Sequence, residues 1–466
     1  MGRPSMQETA APFGRHDQTG IAGRIAAYVA AARQSRVSEP AREAAFRCIL
    51  DLMAAVGAGI ADRGAIAVRS TALATMGTGN APIWFSGRSS SPIGAAWANS
   101  AAASALDLDD GHRLARGHPG AAVIPTALAI GRETGASLEQ LIAAIVIGYE
   151  VGITIAAART TYGNTGTWSA YAVVAAATAL RGTPVEVIEH ALAIAGESAP
   201  NQLFASAPLQ GPVPEGSDVK EGIPWSVVTG LVALGLAEAG HTGPRNILDS
   251  ACHYRFPEET SLGSAPRICQ TYFKLYACCR HVHAPLDALL GLIERHAIEV
   301  RTIDRIEVET YGGALRISNK PAPANLVDVQ YSIPYCLALV ALVGPQALLP
   351  ITSRILALGD VKELAGKVLL SLDHKLDARF PAETLARVTI VSGNARFTSE
   401  PTGPQGEATS PLTWSALEDK FSAATRMVAT EAQQRRVLAA VNDARAGQPA
   451  GLMACFEDLT FEANER

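Results

Sequence analysis

Through most of the first 270 residues, apolar positions recur three and four residues apart, which is the period of an amphipathic helix. Helix start signals support this pattern. Ser38-Glu39-Pro40 places a capping residue before a first-turn proline, and Ser137-Leu138-Glu139-Gln140 has the form of a capping box. The pattern predicts helices over residues 21–32, 44–60, 138–158, 173–180 and 185–195. The first part of the chain is therefore predicted to be a helical domain.

The pattern changes after residue 270. Residues 303–311 alternate, with Ile306, Val308 and Thr310 on one side, which predicts a half-buried strand. Further strands are predicted at 368–372, 388–391 and 396–399, and helices at 284–296, 334–343 and within 414–446. The sequence thus predicts a mostly α protein. Its parts are an all-helical domain (residues 1–270), a smaller α+β domain (271–404) and a helical C-terminal return (405–466).

Composition narrows the class of protein. The chain has 466 residues, of which 48% are hydrophobic and 18% charged, so it can bury a large core and is not a disordered chain. Its net charge is −5 and its longest basic run is Arg435-Arg436, so no nucleic-acid partner is expected. Seven cysteines without regular spacing indicate reduced thiols.

The distribution of charges and apolar runs along the chain indicates where the protein is located. The first 20 residues carry charges and lack the apolar run of a signal peptide. The most apolar stretch, residues 141–158, contains Glu150. A charge near the middle favours a buried helix of a soluble protein over a membrane span. We therefore expect a cytoplasmic protein with no membrane partner.

Three carboxylates stand close together in Asp107-Leu108-Asp109-Asp110, and His118 follows in a His-Pro-Gly step. Such carboxylates repel one another unless they bind cations or one keeps its proton. A solvated turn is one interpretation, although acidic groups at a helix C-terminus oppose the helix dipole. A magnesium motif of a helical prenyl-transferring enzyme would need a second acidic ligand set, which the sequence does not show. The cluster is a candidate chemical site in which no metal is expected.

A second polar cluster runs from Cys278 to His283. In an extended chain, Cys279, His281 and His283 would share one face. Zinc is an alternative, but tetrahedral zinc sites commonly use a second ligand pair elsewhere, and none is evident. The favoured interpretation is a polar pocket wall, in which Arg280 binds a carboxylate and His283 exchanges protons.

Two weaker features precede helical stretches. Lys220 is either an ordinary surface lysine or a functional amine. Residues 162–168 form a glycine-containing loop whose backbone N–H groups could bind an anion. That loop lacks the Gly-Lys-Ser/Thr of a phosphate loop.

Taken together and in this order, the motifs resemble the MmgE/PrpD family, which includes 2-methylcitrate dehydratase, cis-aconitate decarboxylase and iminodisuccinate epimerase. The resemblance covers nearly the whole chain, from about residue 20 to residue 450. The ordered set is specific, although no single motif is decisive. It consists of Ala98-Asn99-Ser100, residues 105–110, His118-Pro119-Gly120, Gly148-Tyr149-Glu150, Thr165-Gly166-Thr167-Trp168, Lys220, Gly240-His241-Thr242-Gly243-Pro244, Lys274-Leu275-Tyr276 and Tyr331-Ser332-Ile333-Pro334-Tyr335.

The resemblance implies that the α+β domain is a lid over a cleft, that the protein is a homodimer, and that it needs no organic cofactor or metal. It implies site residues at Asp107, His118, Lys220 and Tyr335. Two positions depart from the family. Gly163 stands where some members have a histidine, and Cys279 stands where a second histidine is expected. These departures put leaving-group protonation by those histidines in doubt.

The chemistry implied by the resemblance changes a bond at a carbon beside a carboxylate. It needs a base close to the proton and cations that stabilise the enediolate. Lys220 suits either role, and Asp107 would orient His118. Tyr162 is assigned as a second base. The residues expected to bind a small polycarboxylate substrate are Arg280, His283, Cys279 and Tyr335.

Three functions are compatible with these residues. With Gly163 and Cys279 in place of potential acids, the favoured hypothesis is a cofactor-independent epimerase. This isomerase would remove and return the Cα proton of a small imino- or amino-dicarboxylate such as iminodisuccinate. The first alternative is a dehydratase, a lyase acting on a 2-methylcitrate-like tricarboxylate. The second alternative is a catalytically inactive helical binding protein.

Overall fold

The structure is a computed structural model that describes residues 20–161, 163–200, 218–257 and 262–462. Helices make up most of the first part, as the apolar period predicts. Two of the predicted ranges, 21–32 and 138–158, are observed with the same bounds. The helices are α1 (Ile21–Ala32), α2 (Glu39–Gly59), α3 (Arg63–Thr75), α4 (Pro92–Ser104), α5 (Gly120–Thr134), α6 (Leu138–Ala158), α7 (Gly166–Arg181), α8 (Val185–Glu197) and α9 (Ile223–Glu238).

Helix α6 is the central apolar helix of this part. It begins with the predicted capping box, in which Ser137 and Gln140 each accept a hydrogen bond from the other's backbone N–H. Its buried Glu150 accepts hydrogen bonds from the backbone N–H groups of Gly263 (3.0 Å) and Arg267 (2.9 Å). Among the described helices, α6 alone is by itself long and apolar enough to cross a membrane, and α2 with α3 would be so only as a bent pair. Most of α6 is buried inside the protein, which is typical of a core helix of a soluble protein.

Small residues allow the helices to approach closely. At Gly59, where α2 packs against α4, an added Cβ would lie 2.1 Å from the backbone oxygen of Ala102. Backbone cannot move aside as a flexible side chain can, so this contact requires glycine.

The α+β part contains a four-stranded sheet with the order β6-β5-β7-β8. Strand β5 pairs in parallel with β6 and antiparallel with β7, and β7 pairs antiparallel with β8. The predicted alternation is confirmed, because Ile306, Val308 and Thr310 are all buried. The strands are β1 (Ala81–Ile83), β2 (Arg88–Ser90), β3 (Gly111–His112), β4 (Thr271–Tyr272), β5 (Arg305–Thr310), β6 (Val368–Leu372), β7 (Ala386–Ser392) and β8 (Ala395–Thr398).

Helices surround this sheet and then return to the first part. They are α10 (Arg280–His296), α11 (Gly312–Leu315), α12 (Leu326–Gln330), α13 (Ile333–Val343), α14 (Gly359–Ala365), α15 (His374–Asp377), α16 (Trp414–Thr425), α17 (Glu431–Arg445) and α18 (Ala450–Asp458). Helix α10 packs on β7 and α13, whereas α16 packs on α2. The observed architecture is mostly α with an α+β portion, as predicted.

The extended interpretation of residues 279–283 is wrong. Cys279 is the residue before α10, and Arg280 begins the helix. The helical period prevails here because Val282, Leu286 and Leu289 are spaced three and four residues apart and are buried together. The histidines of this cluster therefore point to different surroundings instead of sharing one face.

We expect Gly59→Ala to lower the free energy of unfolding by about 1–3 kcal/mol, because the methyl group overpacks the α2–α4 contact. Gly235→Ala in α9 is the matched control, since no atom of the described residues lies within 4 Å of its added Cβ. That control should raise stability by about 0.4–1 kcal/mol by restricting the unfolded chain. Urea denaturation of both variants tests this, and equal effects of the two substitutions would contradict the assigned contact.

Candidate active site

The acidic loop, defined here as residues 105–119, connects α4 to α5 and is mostly buried. Its carboxylate residues Asp107, Asp109 and Asp110 are 4%, 1% and 1% exposed, so the loop is not a solvated turn. Strand β3 lies within the loop and pairs with β4, which fixes the loop beside the residues that follow Tyr272. A buried carboxylate is stable only when it is paired with a cation or hydrogen-bonded, and the three aspartates differ in the partners they have.

Asp107 is neutralised by a buried lysine. The Lys274 ammonium lies 2.6 Å from Asp107 Oδ1 and donates a second hydrogen bond to the Asp107 backbone oxygen at 3.0 Å. Burial alone would raise the pKa of Asp107, but the charges of Lys274 and Lys220 hold it well below its usual range. Burial likewise opposes the charge on Lys274, yet Asp107 raises the pKa of that ammonium. Both partners are therefore ionised.

Asp110 is held by hydrogen-bond donors. Its carboxylate accepts from the Tyr149 hydroxyl (2.5 Å) and from the Gly120 backbone N–H (3.0 Å), while burial raises its pKa to about 6. Asp109 differs, because its buried Oδ2 has no hydrogen-bond partner among the described residues. Burial raises the pKa of Asp109 as well.

His118 is oriented by the acidic loop itself. Its Nδ1 lies 2.7 Å from the backbone oxygen of Asp110, which assigns the ring proton to Nδ1, and its Nε2 lies 3.5 Å from Asp107 Oδ1. Asp107 is thus close to the ring, as expected, but the nearer acceptor is the Asp110 carbonyl, which the sequence prediction did not include. The backbone N–H of His118 donates to the Thr165 hydroxyl (3.1 Å).

Lys220 reaches the same site from the segment before α9. It is 9% exposed, and its Nζ donates to Oε1 of Gln330 at 2.5 Å and lies 5.6 Å from the centre of the Tyr331 ring. Three consecutive residues, Lys220, Glu221 and Gly222, have positive φ angles of 46°, 57° and 71°. This tight left-handed stretch turns the lysine inward, so it is not an ordinary surface lysine.

Two contacts lock this stretch to the acidic loop. The Glu221 carboxylate accepts from the Thr165 hydroxyl (2.9 Å) and backbone N–H (3.2 Å), and Thr165 in turn accepts from His118. The Gln330 side chain donates to the backbone oxygen of Ala105 at 3.2 Å. Lys220 and His118 are therefore held in one hydrogen-bonded framework.

His281 adds a second imidazole that sequence reasoning did not assign. Its Nδ1 lies 2.5 Å from the Tyr311 hydroxyl, and burial lowers its pKa to about 4 although Asp107 opposes this shift. Cys279, the position where a histidine was expected, is only partly exposed. Burial, reinforced by Asp107, raises the pKa of its thiol to about 12, so it stays protonated. The sequence feature that could have identified His281 is its position two residues after Cys279, where a histidine was expected.

The remaining predicted residues have other contacts. Arg280 is bound by Glu407 and by the Gln405 backbone oxygen (2.8 Å). His283 lies against Arg280 (3.4 Å), and burial lowers its pKa well below the usual value. The Tyr335 hydroxyl donates to the backbone oxygen of Ile355 (2.5 Å). None of these contacts is made with Asp107, His118, Lys220 or Lys274. Tyr162 lies outside the described residues.

One set of described side chains has the spacing of a cation site. Single ligand atoms of Asp107, Asp109 and His118 lie within 4.8 Å of one another, whereas the Cys278–His283 cluster contributes to no such set. The Lys274 ammonium already neutralises Asp107, which disfavours a second cation at that carboxylate. This pair favours an acid–base site, and a metal-free site stays our prediction.

We expect Lys274→Met to lower the free energy of unfolding by roughly 3–5 kcal/mol, because it leaves the Asp107 carboxylate buried without its partner. Lys367→Met is the matched control, since Lys367, just after α14, pairs with Glu363 at the surface, where the two side chains are 42% and 72% exposed. That control should cost no more than about 0.5 kcal/mol. Denaturant unfolding measures both, and a small effect at Lys274 would show that the pair is not the buried constraint described here.

Comparison with known proteins agrees with this architecture. The family model of the MmgE/PrpD N-terminal domain matches residues 23–254, and that of the MmgE/PrpD C-terminal domain matches residues 276–445. Cis-aconitate decarboxylase from Aspergillus terreus is 28% identical over 346 residues, covering 65% of this chain and 68% of the relative. The protein of the same name from strain NIH 2624 / FGSC A1156 matches to the same extent. With both domains matched over nearly the whole chain, this protein belongs to the MmgE/PrpD family.

Proposed function

We propose that this chain is a cofactor-independent lyase that acts on a small polycarboxylate by proton transfer at a carbon beside a carboxylate. The observation that carries the proposal is the environment of Lys220. This ammonium is buried and bonded to the neutral amide of Gln330, and it forms no ion pair within 4 Å among the described residues. A buried cation bonded to a neutral group is strongly stabilised when an anion reaches it.

Substrate charge and site charge are complementary. Lys274 is paired with Asp107, so Lys220 is the cation available for a substrate carboxylate. As a proton leaves the neighbouring carbon, negative charge grows on that carboxylate and its attraction to Lys220 increases. The lysine would therefore bind the transition state more tightly than the substrate.

His118 is suited to remove the proton. With its Nδ1 proton donated to the Asp110 carbonyl, the lone pair of neutral His118 is on Nε2, beside Asp107. The ionised Asp107 stabilises the imidazolium that forms when this nitrogen accepts a proton. The acidic loop would thus fix the base in its active tautomer.

His281 is suited to assist the leaving group. Its low pKa makes it neutral at pH 7, and in the tautomer whose Nδ1 accepts from the Tyr311 hydroxyl, the ring proton is on Nε2. This N–H can donate a hydrogen bond to a departing hydroxyl group. His281 therefore offers a donor that the positions Gly163 and Cys279 lack, which favours elimination over epimerisation. Similarity to a decarboxylase supports the same reaction class.

An epimerase of an imino- or amino-dicarboxylate is the second candidate. It is favoured by the positions of Lys220 and His118. Lys220 comes from the segment before α9, His118 comes from the acidic loop, and both interact with Asp107. Epimerisation needs two such groups, one removing and one returning a proton at the same carbon.

Proton NMR in D₂O separates the candidates. The panel comprises cis-aconitate, citrate, 2-methylcitrate, aspartate and the stereoisomers of iminodisuccinate. A lyase should create or consume vinyl signals, whereas an epimerase should introduce deuterium at Cα with inversion and no alkene. No turnover and no ligand-induced thermal shift with any compound would contradict both candidates and favour the catalytically inactive alternative, whose partner would lie outside this panel. A bound compound at about 100 times its Kd would add roughly 2.7 kcal/mol to stability.

We expect Lys220→Ala to reduce kcat by at least about 100-fold, because a group that stabilises the enediolate contributes typically 10²–10⁴-fold. Circular dichroism should show an intact fold. Exposed Lys375→Ala is the control and should keep wild-type kcat. If Lys220→Ala retains more than about a tenth of the rate, Lys220 has no part in the chemical step.

We expect His281→Asn to separate the two half-reactions. Loss of the leaving-group donor should reduce elimination of the hydroxyl group, seen as alkene formation, by about 100-fold or more. Exchange of the substrate proton with D₂O should persist, because His118 and Lys220 remain. Equal loss of exchange and product formation in the NMR assay would show that His281 does not act on the leaving group.

A further inference from the structure

A second buried ion pair contacts the acidic loop, and the mechanism above does not use it. Lys420 on α16 lies with its Nζ 2.5 Å from Asp51 Oδ1 on α2, and both side chains are fully buried. The same ammonium donates to the backbone oxygen of Leu108 at 2.9 Å. Leu108 stands between Asp107 and Asp109, so the C-terminal helical return touches the centre of the loop.

Stabilisation of the fold alone does not explain this ion pair, because burying its two charged groups costs free energy. Burial lowers the pKa of Lys420 and raises the pKa of Asp51 to about 7, even though each partner favours the other's charge. Asp51 Oδ2 also has no hydrogen-bond partner among the described residues. Apolar residues of similar volume often replace a buried ion pair without loss of stability. The feature that an apolar pair could not reproduce is the hydrogen bond to Leu108.

Two lysines hold consecutive carbonyl groups of the loop. Lys274 donates to the oxygen of Asp107, and Lys420 donates to the oxygen of Leu108. Asp107 has a φ of 54°, in the left-handed region that residues with a Cβ disfavour. Such a conformation persists only where surrounding contacts determine it, and these two bonds act on the peptide groups that follow Asp107.

We propose that Lys420, held by Asp51, is a positioning residue of the active site. By fixing the Leu108 carbonyl it sets the backbone at Asp107 and, two residues on, the Asp110 carbonyl that orients His118. The expected effect of Lys420 on kcat rests on the proposed function, whereas its expected effect on the orientation of the His118 ring does not.

Two double variants that differ in one side chain isolate this hydrogen bond. Asp51→Asn/Lys420→Gln removes both charges and keeps an N–H donor for the Leu108 carbonyl. Asp51→Asn/Lys420→Met also removes both charges, but its thioether, on a chain of the same length, donates nothing. If the second variant does not fold, Asp51→Leu/Lys420→Met takes its place, because it leaves no polar side chain buried at either position.

Two measurements are made on each folded variant. The first is kcat and KM with the panel compound that the wild type converts. The second is the ¹⁵N spectrum of histidine-labelled protein, in which the His118 resonances are identified by their loss in His118→Asn. The spectrum needs no substrate and reports the ring proton that the Asp110 carbonyl holds.

The variant without a donor should have a kcat at least about tenfold below the variant with one, because a small misplacement of reacting groups costs one to two orders of magnitude. KM should differ by less than about threefold, since Lys220 is untouched, and only the donor-free variant should shift the His118 resonances. Equal kcat and unshifted His118 resonances in both variants would overturn the proposal. If the wild type converts no panel compound, the proposed function fails, and the His118 spectrum alone decides the positioning role.

Discussion

A buried ammonium–carboxylate pair, Lys274 with Asp107, is the interaction on which the candidate site depends. It joins the acidic loop of the helical part to the chain that follows β4, and both side chains are almost fully removed from water. A carboxylate in that position would otherwise take up a proton or destabilise the fold. Because the lysine keeps it ionised, Asp107 can stand beside the imidazole of His118 as a fixed negative charge.

The bonding partner of each buried lysine indicates whether that lysine has a structural or a proposed chemical role. The chain has seven lysines, and the three that are buried, Lys220, Lys274 and Lys420, all contact the acidic loop or interact with Asp107. Two of them are bonded to carboxylates, so their charge is already balanced. Lys220 is bonded to an amide instead, which makes it the position where a substrate anion would gain most.

Local patterns in the sequence predicted the elements well. The apolar period gave the bounds of α1 and α6, and strict alternation identified β5 with its correct buried face. The extended interpretation of residues 279–283 failed because five residues are too few to separate a strand from a helix when the next apolar positions are not counted. Residues 284–296, predicted as a helix, already contained the period that α10 extends back to Arg280.

Parts of the site could not be predicted from one sequence. The acidic loop and Lys220 drew attention through residue type, but the side chains that bond to them lie far along the chain. Gln330 is 110 residues from Lys220, and Leu108 is 312 residues from Lys420. The acceptors that His118 Nδ1 and Lys420 bind in the loop are backbone carbonyls, which every residue carries and which therefore leave no signal in the sequence.

The proposed function requires Lys220 to receive a carboxylate of a small polyanion in a buried site. Isothermal titration with tricarballylate, a saturated tricarboxylate without a hydroxyl group, measures this binding without requiring turnover. We expect binding to the wild type and an affinity at least about tenfold weaker in Lys220→Met, since a charge-assisted hydrogen bond is worth about 1.5–3 kcal/mol. Equal affinity in both proteins, or no binding to the wild type, would show that Lys220 does not receive the substrate anion.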